Sequence, residues 1–388
     1  MALAAVAAMR IFDGSAWHED AALLFDAGRV HGIMRARDVP AGVEVSRADG
    51  AMLVPGFVDL QVNGGGGLLF NDDPSVGTIR TICAAHMRFG TTSLLPTLIT
   101  DTREATAAAL EAGIAAARDG VPGFAGVHLE GPHLSVKRKG AHSAALVRPM
   151  DDEDLNALVT ARPALPALMI TCAPESVTRG QVAALTEAGI RVSLGHSDCG
   201  YDTAVGYATA GASLVTHLFN AMSPLGHREP GLVGAALDSG ALHAGLISDG
   251  IHVHPAAMRA AIHAKIGPSR IFLVTDAMAT IGTDLESFEL NGRRIYRRDG
   301  RLTLEDGTLA GADIDMAASV RFLHRHVGVP LGMALAMASF NAADALGIGD
   351  RKGALHAGAD ADFLELDDGL NVVCSWCAGV RMHEADPA

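Results

Sequence analysis

Six short apolar, β-branched runs in this chain end on imidazoles, carboxylates or amides. They close on Gln61-Val62-Asn63, His128-Leu129-Glu130, Gly195-His196-Ser197, Thr216-His217-Leu218-Phe219-Asn220, Ser248-Asp249-Gly250 and Thr275-Asp276. A single buried histidine is an ordinary satisfied core group. Several carboxylates and imidazoles gathered at strand ends are not, because burying them unpaired is costly. Two histidines and a glutamate form a ligand set of catalytic zinc, with the fourth position left for water. Glu130, His196 and His217 supply that set, and Asp276 is then free to act as general base on the water. His128, two residues before Glu130 on the same face of its strand, is either a further ligand or a packing group. One divalent metal per subunit is expected: zinc first, with iron or another divalent ion as alternatives, since these donors suit them all.

Chemistry at strand ends requires strands whose ends converge. The candidate strands lie at roughly 52–62, 91–99, 124–130, 167–173, 190–196, 212–218, 243–248 and 270–276, with Ala-rich helical stretches between them. One helix is expected at 101–118, opened by an Asp101-Thr102 cap with Glu104 behind it, and another at 151–162. Continuous apolar strands alternating with helices mean a parallel sheet. Eight such units in roughly 230 residues fit an α/β (β/α)8 TIM barrel better than a doubly wound sheet. The glycine run Gly64–Gly67 has neither the Rossmann spacing nor a P-loop lysine, and reads as a mobile loop. Segments 1–51 and 350–388 read instead as short alternating strands that cannot bury a face alone. They are expected to pair into a small β-sandwich domain beside a barrel spanning 52–349.

Composition narrows the partners. With 49% hydrophobic and 19% charged residues, the chain can bury a large aliphatic core, which excludes extensive disorder. A net charge of −14 disfavours nucleic acid and anionic membrane surfaces as partners. Cys83, Cys172, Cys199, Cys374 and Cys377 are widely spaced and expected to be reduced, and the lone Cys374–Cys377 pair reads as incidental. The opening Met1–Ala8 run lacks the basic start of a signal peptide, and no apolar stretch of membrane-spanning length is free of charge. A cytoplasmic location is expected.

Pro55-Gly56-Phe57-Val58-Asp59 at the first strand resembles the amidohydrolase superfamily, and Gly126-Val127-His128-Leu129-Glu130-Gly131-Pro132 narrows the resemblance. The runs Gly195–Ser197, Thr216–Met222, Arg228–Gly231, Asp249–His252, Val274–Ala277 and Gly307–Gly311 extend it over essentially the whole chain. Together they resemble the family of N-acetylglucosamine-6-phosphate deacetylases. That resemblance implies metal-dependent hydrolysis of the N-acetyl group of N-acetyl-D-glucosamine 6-phosphate, giving D-glucosamine 6-phosphate and acetate, in amino-sugar catabolism or cell-wall recycling. It gives Glu130, His196 and His217 the metal and Asp276 the proton transfers. His142, in the run Gly140-Ala141-His142, helps polarise the acetamide carbonyl. Ala141, Asn220, Ala221, Arg228 and His252 contact the substrate, the last four around the phosphate, and Leu309, Ala310 and Gly311 line the sugar. The resemblance also implies a homodimer in which Arg228 reaches the neighbouring subunit's site. Where the superfamily usually carries a His-x-His pair for a second metal, this chain has Gln61-Val62-Asn63.

Two rival readings stay open at this level. One is another barrel amidohydrolase, such as a deacetylase of a different amino-sugar phosphate or a D-aminoacylase. The other is a catalytically silent barrel, against which the intact ligand triad and Asp276 argue. The basic run Lys137-Arg138-Lys139 either lends the site positive potential or is a solvated loop.

Overall fold

The computed structural model describes residues 3–385, so the ends of the two terminal segments, 1–2 and 386–388, lie outside the described residues. Eight strands follow one another around a parallel sheet in chain order: β1 (Phe57–Val62), β2 (Thr91–Ile99), β3 (Val127–Glu130), β4 (Leu168–Cys172), β5 (Arg191–Leu194), β6 (Leu214–Val215), β7 (His243–Leu246) and β8 (Ile271–Leu273). Past the end of β8 the sheet closes on itself through a parallel bridge between Val62 and Ala277. There Asp276 N donates to Gln61 O at 3.0 Å, and Asn63 N to Ala277 O at 2.8 Å. Closure buries both faces of nearly every strand, which is why the runs are apolar throughout rather than alternating.

Parallel neighbours need crossovers, and helices supply them. They include α1 (Val76–Met87), α2 (Arg103–Arg118), α3 (Asp152–Ala161) and α4 (Arg179–Glu187). Each starts on a side chain that accepts from an otherwise unpaired N–H: Ser75 from Thr78 N, Thr102 from Ala105 N, Asp151 from Asp154 N and Thr178 from Gln181 N. No helix among the described residues is long and apolar enough to cross a membrane.

Three features depart from the sequence reading. The apolar run at 52–62 is two strands, not one. It breaks at Gly56, where a Cβ would sit 2.0 Å from Thr92 Oγ1. Met52–Pro55 pairs with Ala4–Phe12 on one side and Phe363–Leu366 on the other, so it belongs to the terminal sheet. The terminal strands themselves form one continuous eight-stranded sheet rather than two hydrogen-bonded layers, with separate apolar clusters around Leu23 and Leu24. The third feature is an antiparallel sheet after β8, built from Ser287–Leu290, Arg293–Arg298, Arg301–Thr303 and Leu309–Ala312. It covers the C-terminal end of the barrel, packing Leu290, Ile295, Leu302 and Ala310 against Leu69, Ile99 and Met278.

Gly64–Gly67 is also no mobile loop. Gly64–Gly65 pairs with Leu68–Leu69, Gly66 N donates to Ile281 O at 2.8 Å, and Gly67 N to Ala279 O at 3.0 Å. His86 of α1 holds Gly64 O through Nε2 at 2.9 Å. It packs so closely on Gly65 that a Cβ there would lie 2.9 Å from the imidazole.

Candidate active site

The strand ends converge on a cleft of about 250 Å3 at the C-terminal mouth of the barrel. Its lining includes Glu130, Ala141, His142, His196, His217, Asn220, Ala221, His252, Asp276, Leu309, Ala310 and Gly311. Of the substrate and metal residues expected from the sequence, only Arg228 lies outside this lining; it is exposed, on the loop leading to the helix Gly231–Asp238. His196, His217, Ala221 and Asp276 all have positive φ, at +48°, +29°, +48° and +53°. These left-handed turns, costly for residues with a Cβ, bend the chain out of the sheet where the strands end. Such strain gathers at functional sites.

Glu130 Oε1 lies 3.2 Å from His196 Nε2 and 3.0 Å from His217 Nε2, and the two imidazole nitrogens are 3.0 Å apart. Ligands at 2.0–2.1 Å on a tetrahedral metal stand about 3.3–3.4 Å apart, so the three atoms are spaced to hold one such ion. Charge points the same way. Burial pushes the His217 imidazole down, but the Glu130 carboxylate outweighs it and holds the imidazole above its ordinary value. Burial likewise pushes Glu130 up, and His196 and His217 outweigh it, holding the carboxyl well below the usual range. The pocket thus favours a positive charge between these groups. His196 is oriented from behind, Nδ1 meeting Arg138 O at 2.9 Å.

A second set, Glu130, His142 and His196, also brings one ligand atom from each within 4.8 Å of the others. It shares two members with the first, but His142 Nε2 stands 3.8 Å from Glu130 Oε2, and the shorter distances favour His217. His142 is set back on the loop between β3 and α3, with Nδ1 2.7 Å from Thr100 Oγ1. Burial and then the neighbouring His196 push this imidazole down to about 3, so it is neutral at pH 7.

Asp276 sits beside the triad. Its Oδ1 accepts from Asn63 Nδ2 at 2.7 Å and Gln61 Nε2 at 3.1 Å, and Gln61 Nε2 also lies 2.9 Å from Glu130 Oε1. Burial, then the Glu130 carboxylate, pushes the Asp276 carboxyl up to about 6, near the working range of a general base. His252 is held by Asp249 Oδ2 at 2.5 Å through Nδ1 and lines the cleft.

His128 is no ligand in this arrangement. Its Nε2 meets Thr171 Oγ1 at 2.8 Å and its Nδ1 meets Thr97 Oγ1 at 3.2 Å, in a buried hydroxyl layer beneath the site. Lys137 and Arg138 both pair with Asp198, so this part of the basic run braces the loop that holds His196. Cys374 and Cys377 are free thiols that burial pushes up to about 12, and neither offers a thiolate.

Sequence reasoning missed Thr100, Met278, Leu290 and Thr308. Thr100 follows β2 and could have been found by the same strand-end rule applied to that strand. Met278, just past β8, and Leu290, in the covering sheet, line the cleft from positions outside any motif, and Thr308 lies inside the run Gly307–Gly311, of which only the last three residues were expected at the sugar.

A model of the amidohydrolase family matches residues 52–382. The chain belongs to the amidohydrolase family. An N-acetylgalactosamine-6-phosphate deacetylase of Shewanella sp. (strain ANA-3) is 42% identical over 88% of this chain and 86% of its own length. An N-acetylglucosamine-6-phosphate deacetylase of Haemophilus influenzae is 34% identical over 91% of this chain and 92% of its own. Among solved structures, the N-acetylglucosamine-6-phosphate deacetylase of Pasteurella multocida superposes with a TM-score of 0.93 at 35% identity, covering 97% of this chain and 99% of that one.

Proposed function

We propose that this amidohydrolase removes the N-acetyl group of N-acetyl-D-glucosamine 6-phosphate, releasing D-glucosamine 6-phosphate and acetate. The observation that carries the reading is the meeting of Glu130 Oε1, His196 Nε2 and His217 Nε2 within 3.2 Å of one another, beside Asp276. A divalent metal held by these three, zinc first among the candidates, supplies Lewis acidity and lowers the pKa of water. Oδ1 of Asp276 is engaged by two amides, so Oδ2 takes the proton of the attacking water and passes it to the leaving amine as the C–N bond breaks. Neutral His142, whose Nδ1 lies 2.7 Å from Thr100 Oγ1, polarises the acetamide oxygen by donating to it in its Nε2–H tautomer. Leu309, Ala310 and Gly311 line the sugar, Ala141 flanks it, and Asn220, Ala221 and His252 face its phosphate. Arg228 serves the phosphate of a partner subunit's site in a homodimer. The same proposal includes two units, a barrel at 52–349 and a sheet of 1–51 with 350–388, the strand Met52–Pro55 passing to the sheet.

A second reading, the galacto epimer as preferred substrate, is favoured by the 42% identity to the Shewanella relative against 34% to the Haemophilus one. Amine release from the two N-acetylhexosamine 6-phosphates, compared by kcat/KM, tests both. Greater turnover of the gluco compound upholds the first reading and greater turnover of the galacto compound the second. No turnover of either removes both.

A further inference from the structure

His142 rides on a stretch of its loop, residues 140–146, that has few external ties. Within 140–146 the backbone bonds mostly to itself, His142 N to Lys139 O at 3.0 Å and Leu146 N to Ser143 O at 3.1 Å. Two bonds reach this stretch from outside the loop among the described residues. One is the Thr100 contact to the imidazole itself. The other is a hydrogen bond from Arg293 Nη2 to the carbonyl oxygen of Ala141, the residue before His142.

Arg293 begins the second strand of the covering sheet, directly across the hairpin from Leu290. Leu290 is buried in the cleft lining, and Ala141 packs against the same apolar cluster. The guanidinium therefore joins a hydrogen-bonded sheet to a loop that, past the 3-10 turn Val136–Arg138, has no helix or strand at the point where it delivers an imidazole. Asp306, whose carboxyl is held below its ordinary value first by the Thr308 backbone N–H, also feels the positive charge of Lys139 and Arg293. The cation is thus placed among polar neighbours at the rim instead of being buried without compensation.

We propose that Arg293 is a positioning residue, latching the Gly140–His142 loop to the covering sheet and so holding His142 over Glu130. This rests on the reading of His142 given above. The carbonyl of Ala141 faces Arg293, so the latch acts on the backbone and not on the substrate. Losing it lets His142 wander, and misplacement of a reacting group by about 1 Å can cost up to about 100-fold in rate.

The test is a double-mutant cycle on the metal-loaded enzyme, with kcat, KM, metal content and thermal midpoint measured for each variant. Arg293→Met is expected to lower kcat about 10-fold or more, with KM and metal content unchanged. Arg293→Lys, which keeps the charge and a donor, is expected to recover part of that loss and controls for any folding defect in the first variant. In a His142→Asn background, Arg293→Met is expected to add nothing further. An Arg293→Met enzyme with wild-type kcat beside an impaired His142→Asn enzyme overturns the latch alone. Effects that simply multiply, or a loss confined to KM, also overturn it, the latter marking Arg293 as a substrate-binding cation. A His142→Asn enzyme with full turnover instead removes the reading of His142 on which the latch rests.

Discussion

Asn63 donates from Nδ2 to Oδ1 of Asp276 at 2.7 Å. Where a histidine would offer a lone pair to a metal, the strand offers N–H groups to two carboxylates, since Gln61 Nε2 reaches both Asp276 and Glu130. The amides thereby fix which oxygen of Asp276 is committed and which is free. On the proposed function they make the end of β1 a holder of the base, with the proposed metal donors at the ends of β3, β5 and β6.

Asp276→Asn is expected to keep the fold and the metal yet lose about 100- to 10,000-fold in kcat, because an amide cannot carry the proton. Metal content and turnover measured on the same preparation check this. Near-wild-type kcat with full metal would put the base elsewhere.

Glu130→Ala and His196→Ala each remove one of three converging donors. Both are expected to lose bound metal on desalting, along with nearly all activity, while His128→Asn, outside the donor set, keeps the metal. Elemental analysis of the three variants decides. Retention of metal by Glu130→Ala would refute the donor assignment.

Much of this site was legible because the barrel repeats one rule: polar residues at strand ends meet at one mouth. His196 and His217 could be read that way without knowing that both backbones turn left-handed there. The division at Gly56 could not, because Met52–Pro55 and Phe57–Val62 are both buried throughout and only the close approach of Thr92 marks the break between them. The covering sheet was hidden for the opposite reason. One of its two inner strands, Arg293–Arg298, is mostly basic and has one fully buried residue, Ile295, so its pattern resembles a solvated loop. His142 was reached by resemblance alone, since the loop that carries it has no periodicity to read. Gly64–Gly67 looked mobile because glycine permits motion, but here it permits close contact with His86.

His86 gives a pH signature away from the metal. Burial pushes its imidazole down to about 4, against an ordinary value of 6.5. The unfolded chain therefore binds a proton that the folded chain refuses between these values, so stability is full above pH 6.5 and is lost as pH falls toward 4. The difference corresponds to about 3 kcal/mol. His86→Gln is expected to be somewhat less stable at pH 7 and to lose less stability on acidification, as read from denaturant midpoints. An unchanged pH slope would show that His86 is not the group being titrated.

Arg228→Ala is expected to reduce kcat/KM for the 6-phosphate by roughly 10- to 150-fold, the worth of a charged hydrogen bond, with a much smaller loss for unphosphorylated N-acetylglucosamine. Mixing Arg228→Ala with Asp276→Asn subunits is expected to restore activity, since a hybrid dimer has one site with both groups intact. If subunits exchange and no activity returns, Arg228 serves its own chain. Equal losses on both substrates would mean that it does not read phosphate.

The central claim is that one metal, held by Glu130, His196 and His217, works with Asp276 to hydrolyse the acetamide. Titrating zinc into the metal-stripped protein while following amine release from N-acetylglucosamine 6-phosphate tests it most directly. Activity is expected to rise linearly from near zero and to break at one equivalent per chain. A break at two equivalents, or full turnover by the stripped protein, would contradict it.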